Sequence, residues 1–245
     1  MKSFALVLLV ASASIISGCR NNSGIRGYWS SRTLDIDNYK AVEEEFTDFV
    51  ELAAAAPEAD AFAAVDMLLK KARKDDVTYI IYADLILRGF SSIGSPCRSC
   101  PIFLHAADNI LSHGIPSSGD MTQRYQKRRN LCLHNNFGDT AEIPELTDGA
   151  SLEISGRTLV LIVDQDCSTC RQSMEKFSSE KWSGTSLVAL CYGHGPLPER
   201  AGWVCYQMSR NQTLLDTREA PFFYVISPDG KVELSYTSVY HEDKL

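Results

Sequence analysis

The chain has 245 residues, room for one large or two ordinary domains, and 31 acidic against 24 basic side chains give it a formal charge of −7. An acidic body of this kind argues against a nucleic-acid partner. Eight cysteines make the redox surroundings of the chain the first question to settle.

At the N-terminus, Lys2 precedes a short apolar run, Phe4 to Ile16, and then the tetrad Ile16-Ser17-Gly18-Cys19. This is the layout of a signal peptide, and the run is shorter than the roughly twenty apolar residues needed to span a bilayer. The tetrad resembles the lipobox of bacterial lipoproteins. That resemblance implies removal of residues 1–18, lipid attachment at Cys19 and a place in the bacterial cell envelope, facing the periplasm. An ordinary secretory signal with Cys19 incidental is the alternative. Loss of Lys2 with the leader takes the formal charge to −8. Outside the cytoplasm cysteines tend to be oxidised, and seven are left after Cys19. Seven is odd, so at least one is unpaired, shares a metal or pairs transiently.

Residues 19–33 begin polar and glycine-containing, RNNSGIRG, and read as a tether. From Leu34 the pattern turns helical: Val42, Phe46, Phe49, Val50 and Ala53 recur at helix spacing up to Pro57, and Phe62, Val65, Leu69 and Ala72 repeat it. Val77 to Phe90 is apolar nearly all round and predicts a buried third helix. A break rich in Ser, Gly and Pro, Ser91 to Pro101, carries Cys97 and Cys100. Ile102 to Leu111 and Met121 to Leu133 predict two more helices, so residues 34–135 read as an all-α domain.

Past Asn135 the texture changes. Short strand-like runs are expected at Glu142 to Leu146 and Ser151 to Ile154, and a strand buried on both faces at Thr158 to Val163. Further strands are predicted at Ser186 to Tyr192 and Trp203 to Gln207, with a helical turn or two at Asn211 to Arg218. Phe222 to Ile226 and Lys231 to Tyr236 form a hairpin about Ser227-Pro228-Asp229-Gly230. Residues 136–245 therefore read as an α/β domain.

The chemistry concentrates at Cys167-Ser168-Thr169-Cys170, directly after the buried strand. Positions 167, 170, 174 and 177 share one helical stripe, so Cys170 heads an apolar face with Met174 and Phe177 while Cys167 sits at the helix mouth. Unpaired amides and the positive end of the dipole favour a thiolate there. Such a dithiol opens and closes disulfides by itself and needs no organic cofactor. No second cysteine–histidine cluster lies at suitable spacing in the same domain, which argues against zinc at this pair. Ala220-Pro221, at the entrance of the strand FFYVI, suits a cis peptide bond.

With these residues in view, 136–245 resembles the thioredoxin superfamily, particularly the membrane-attached thioredoxin-like oxidoreductases of bacteria. The features that carry the resemblance are Gly138-Asp139-Thr140-Ala141, DCSTC, and EAPFFYVISPDGKVEL. The region ahead of it, through RYQKRRNLCLHNNFGDTA, is similar to an uncharacterised helical domain found before thioredoxin folds in bacterial lipoproteins. The resemblance implies that Cys167 attacks, that Cys170 resolves, and that cis Pro221 lies beside them. It also implies that the Ala220 backbone pairs with a substrate peptide as an added strand. The partners would be the thiols or disulfides of exported proteins, and the activity thiol–disulfide oxidoreduction. The sequence departs from the family pattern in three places: Asp166 stands where tryptophan is usual, the pair Ser168-Thr169 replaces Gly-Pro or Pro-His, and Leu161 occupies the place of a buried acid. Asp164 or Glu175 are the substitutes for that acid. The competing reading is a binding or scaffold lipoprotein on a thioredoxin fold with passive cysteines.

The remaining cysteines leave choices open. Cys97-Arg98-Ser99-Cys100, with Cys132, suits an accessory redox pair feeding Cys167, a zinc site with His134, or a disulfide staple from Cys132 to one of the pair. Cys191 and Cys205 fall on strands of one sheet, as free thiols or as a bridge. A hydrolase using Cys191 and His194 would need an adjacency that spacing does not show. Gln126-Lys127-Arg128-Arg129 reads as a solvated helix face.

Overall fold

A computed structural model describes residues 24–116, 119–147, 149, 151–178, 182–209 and 214–244. The leader and Cys19 lie outside the described residues. Five helices come first: α1 (Tyr39–Ala54), α2 (Glu58–Ala72), α3 (Asp76–Ser91), α4 (Cys100–His113) and α5 (Gly119–Leu133). Side chains of Asn38 and Asp75 accept from the backbone N–H of Ala41 and Thr78, satisfying amides that the first turns of α1 and α3 leave open. α3 is the buried helix, as its all-round apolar sequence requires, with Tyr79, Tyr82, Ile86 and Phe90 enclosed. Among the described residues no helix is long and apolar enough to cross a membrane.

The segment expected to be a tether is, from residue 24 onward, part of the body. Trp29 is 0% exposed, its ring 5.1 Å from Phe49 and 5.8 Å from Tyr82. Lys71 on α2 fastens this segment, donating to the backbone carbonyls of Trp29, Ser30 and Arg32 at 2.5, 3.0 and 2.7 Å. The polar run RNNSGIRG masked an aromatic pair immediately behind it, and burial of those rings outweighs the flexible composition ahead of them.

The sheet has the order β3-β2-β1-β4-β5, with β1 (Thr158–Asp164) at its centre. β2 (Ser186–Tyr192) and β3 (Trp203–Gln207) run parallel to β1, while β4 (Phe222–Ile226) and β5 (Val232–Ser238) are antiparallel. β1 is apolar throughout because both faces are covered. Val160 and Ile162 face a core that the helices enter through Ile93 and Leu131. Leu159, Leu161 and Val163 face the other, under α6 (Ser168–Ser173). The predicted 3.6-residue stripe holds although α6 tightens into a 3-10 turn at Met174–Ser178: Cys170, Met174 and Phe177 are all buried.

Two expected strands do not form. Residues 142–146 carry Pro144, which has no N–H to donate, and only Leu146 makes an isolated bridge, to Met208. At 151–154 the alternation is real but serves packing, since Leu152 and Ile154 lie against the sheet while Ser151 and Glu153 face solvent. Of the helical stretch expected at 211–218, residues 211–213 lie outside the described residues and Thr217–Glu219 forms a single 3-10 turn.

The burial of Trp29 predicts that Trp29→Ala destabilises the chain by about 3–5 kcal/mol. Urea unfolding at pH 7 checks this; a change below about 1 kcal/mol would restore the tether reading.

Candidate functional site

β1 ends at Asp164, and the chain turns through Gln165 and Asp166 into α6, with Cys167 as the residue capping the helix. The Cys167 sulfur accepts from the Cys170 backbone N–H at 3.3 Å, so the helix's first open amides point at it. The two sulfurs are not bonded to each other. A hydrogen bond from the Cys170 thiol, joined by the backbone N–H groups of Cys170 and Thr169, draws the Cys167 thiol below its usual range; partial burial and the Asp164 charge oppose this. Cys170 is 2% exposed, and burial above all, with its thiol committed to Cys167, pushes it up to about 12. One thiol is therefore half-buried and more readily ionised than an ordinary thiol, and the other is enclosed and protonated at neutral pH.

Position 161 carries no acid. Leu161 is fully buried between Ala189 and Phe223 in the ladder. Of the two substitutes weighed, Glu175 is exposed and paired with Arg200 at 2.9 Å. Asp164 is the one that acts on the site: its charge bears on Cys167, Cys170 and Tyr192 alike. Its Oδ1 accepts the Asp166 N–H at 2.9 Å, which fixes its direction. Asp166, in the place of the usual tryptophan, holds the Gly193-His194-Gly195 loop, its Oδ2 accepting the His194 N–H at 3.0 Å. Gly193 has φ +116°, and a Cβ there would come within 2.8 Å of the Asp166 carboxylate. His194 is thus a loop residue tied through its backbone.

The Ala220–Pro221 bond is cis, and Pro221 is buried at the entrance of β4. The Ala220 N–H donates to the Thr217 carbonyl at 3.1 Å, which leaves its carbonyl as the backbone group available for a partner strand. Tyr192, at the end of β2, donates its hydroxyl to the Thr217 carbonyl at 2.6 Å.

What holds this loop was not visible in the sequence. Arg128, read as part of a solvated face, is 5% exposed and reaches from α5 to the loop ahead of Pro221. Its Nε meets Asp216 at 2.7 Å, one Nη donates to Glu219, and the other lies 3.4 Å from the Ser91 carbonyl. Glu219 also accepts from the Ser92 hydroxyl at 2.8 Å and the Ile93 N–H at 2.7 Å. Burial acts to raise both carboxyls. For Asp216 the Arg128 and Arg218 charges outweigh it, and for Glu219 Arg128 does so with the Ser92 and Ile93 donors, so both lie below the ordinary carboxylate range. A single basic residue in a basic run carries no burial signal, because only its distant partners, 88 and 91 residues away, enclose it.

The other cysteines now have partners or places. Cys100 and Cys132 form a disulfide, which is the staple reading; it removes two of the four groups a zinc site with Cys97 and His134 would need, and His134 instead meets Glu142 at 2.8 Å. Among the described residues no group of three or more potential ligands could hold a metal. Cys191 and Cys205 lie on the adjacent strands β2 and β3 as free thiols. The ladder places Cys205 opposite Ala189 and Cys191 opposite Gln207, so the two are diagonal neighbours. The interaction with Cys205 and then burial push the Cys191 thiol up, and the same contact draws Cys205 down.

No family model and no curated protein matches this chain. Among solved structures, a thioredoxin-like protein from Bacteroides caccae ATCC 43185 superposes with a TM-score of 0.63 at 15% identity, covering 100% of this chain and 98% of that one. The likeness speaks for the fold: a thioredoxin-like α/β sheet preceded by helices.

Replacing the buried cation predicts a pH-dependent loss. Arg128→Met leaves Glu219 without its cation and Asp216 with Arg218 alone, and costs about 3–5 kcal/mol at pH 7. In the native chain the lowered carboxyls contribute stability above their unfolded pKa near 4, lost as pH falls through their lower folded values. The stability gap between native chain and variant should therefore narrow as pH drops below about 4. Urea titrations at pH 7 and pH 3.5 check this, and a gap that stays constant would deny the carboxylates their role.

Proposed function

We propose that this chain is a thiol–disulfide oxidoreductase of the bacterial cell envelope, acting on exported proteins through Cys167 and Cys170. The observation that carries this reading is the asymmetry of the two thiols at one helix mouth, one partly exposed with its pKa drawn down, the other enclosed with its pKa pushed up. The Cys167 thiolate attacks one sulfur of a substrate disulfide, and the other substrate sulfur leaves as thiolate. Cys170 then gives up its proton, for which Asp164 is the nearby base, and attacks the Cys167 sulfur. The substrate's first sulfur departs as thiolate, leaving a Cys167–Cys170 disulfide; two electrons have passed to the substrate. Run in reverse, the same steps oxidise a substrate dithiol. The dithiol carries the electrons without an organic cofactor. The substrate strand lies along the Ala220–Pro221 entrance, where the Ala220 carbonyl accepts from it. The tetrad ending at Cys19 supports lipid attachment there, which would hold the chain at the membrane.

Two measurements test the reading. In the reduced protein Cys167 should be alkylated before Cys170, and Cys170→Ser should accumulate mixed disulfides with exported proteins while Cys167→Ser does not. If neither variant traps a partner and alkylation shows no preference, the scaffold reading replaces this one. Separately, Cys19→Ser should leave the protein unprocessed or released from membranes; a processed variant that still fractionates with membranes would refute lipid attachment at Cys19.

A further inference from the structure

A second Cys-X-X-Cys, Cys97-Arg98-Ser99-Cys100, takes no part in the site at Cys167. Its two sulfurs do not pair with each other. Cys100, the first residue of α4, is bonded to Cys132 near the end of α5, while Cys97 is a free thiol three residues upstream. Cys97 and Cys100 pack against the same helical core. Access differs among the three: Cys132 is 3% exposed, whereas Cys97 and Cys100 are half-buried. Cys97 also lines an open groove of about 410 Å³ between α1 and α3, with Phe46, Val50, Leu85 and Pro96 in its wall. That is the size of a small-molecule site, too small for a folded protein.

We propose that Cys97, Cys100 and Cys132 form a second thiol–disulfide exchange centre, in which Cys97 receives oxidising equivalents from a small-molecule disulfide and passes the bond inward to Cys100–Cys132. The Cys97 thiolate attacks the small disulfide, forming a mixed disulfide and releasing one small thiolate. The Cys100 thiolate attacks the Cys97 sulfur, releasing the second small thiolate and closing Cys97–Cys100. The Cys132 thiolate then attacks the Cys100 sulfur, releasing Cys97 as a thiolate that regains a proton. Two electrons move from the protein to the small disulfide, and the last step moves none. Chain geometry favours this order. Cys97 and Cys100 are three residues apart and can pair locally, whereas Cys100 and Cys132, 32 residues apart, meet only when α4 and α5 are packed together. The wider loop is the better final state, because it removes more freedom from the unfolded chain. Exposure agrees, since the outer two sulfurs are reachable and the inner one is not. Run backwards by a small thiol, the path frees Cys132, one helical turn beyond Arg128 on α5.

The centre does not depend on Cys167, so the full chain carrying Cys167→Ser and Cys170→Ser is the material for the test. It is reduced, given one equivalent of oxidised glutathione, quenched with acid at intervals, alkylated, and its disulfides are mapped by peptide mass spectrometry. Glutathione on Cys97 and then Cys97–Cys100 should appear first and decay into Cys100–Cys132 with no further oxidant. Adding Cys97→Ser should slow formation of Cys100–Cys132 by about tenfold, with Cys97→Ala as the second variant should the first not fold. Direct formation of Cys100–Cys132, with no Cys97 species and the same rate without Cys97, overturns the proposal. Formation at speed only when Cys167 is restored overturns it too, while leaving the function proposed above intact.

Discussion

A guanidinium withdrawn from water must be matched on every side, and Arg128 is matched by Asp216, Glu219 and the Ser91 carbonyl. Breaking such a group by removing one partner is far more costly than any surface pair, because the charges left behind have nowhere to go. The arrangement therefore fixes three pieces of chain against one another: the end of α3, the middle of α5 and the loop that precedes β4. Neither the helices nor the sheet alone could supply it. The helical half acts less as an appendage than as the far wall of the loop that delivers Ala220 and Pro221.

The thiol pair owes its asymmetry to a different constraint, the complete burial of β1. A central strand covered on both faces releases its chain only at its C-terminal end, and α6 begins there with its amides open toward Cys167. The same apolar face that encloses Met174 and Phe177 encloses Cys170. The polar residues between strand and helix have separate tasks: the Asp164 charge bears on the sulfurs, and Asp166 binds a glycine loop.

Much of this was legible in the sequence. The 3.6-residue stripes of α1 to α3, the apolar run of β1 and the Asp229-Gly230 hairpin follow from local chemistry, and so does the placing of Cys167 outside and Cys170 inside. What the sequence concealed was long-range. Arg128 looks solvated until residues 88 and 91 positions later close over it, and Trp29 looks like tether until Phe49 and Tyr82 take it in. Alternation misled at 151–154 because a packed loop and a strand share the same inward–outward rhythm. Eight cysteines gave many pairings, and only the approach of α4 to α5 selected Cys100–Cys132.

The diagonal placement of Cys191 and Cys205 bears on how the sheet assembles. In the native ladder the two residues are offset by two positions, and their thiols still interact directly as a diagonal pair. Sliding β3 by two residues would keep every side chain on its proper face and bring Cys205 level with Cys191. A bond formed at that moment would lock the sheet edge out of register with its hydrophobic pattern otherwise satisfied. The native register sets the two thiols in contact as a diagonal pair, whereas the slipped register would set them level, so a bond formed early would fix the wrong alignment.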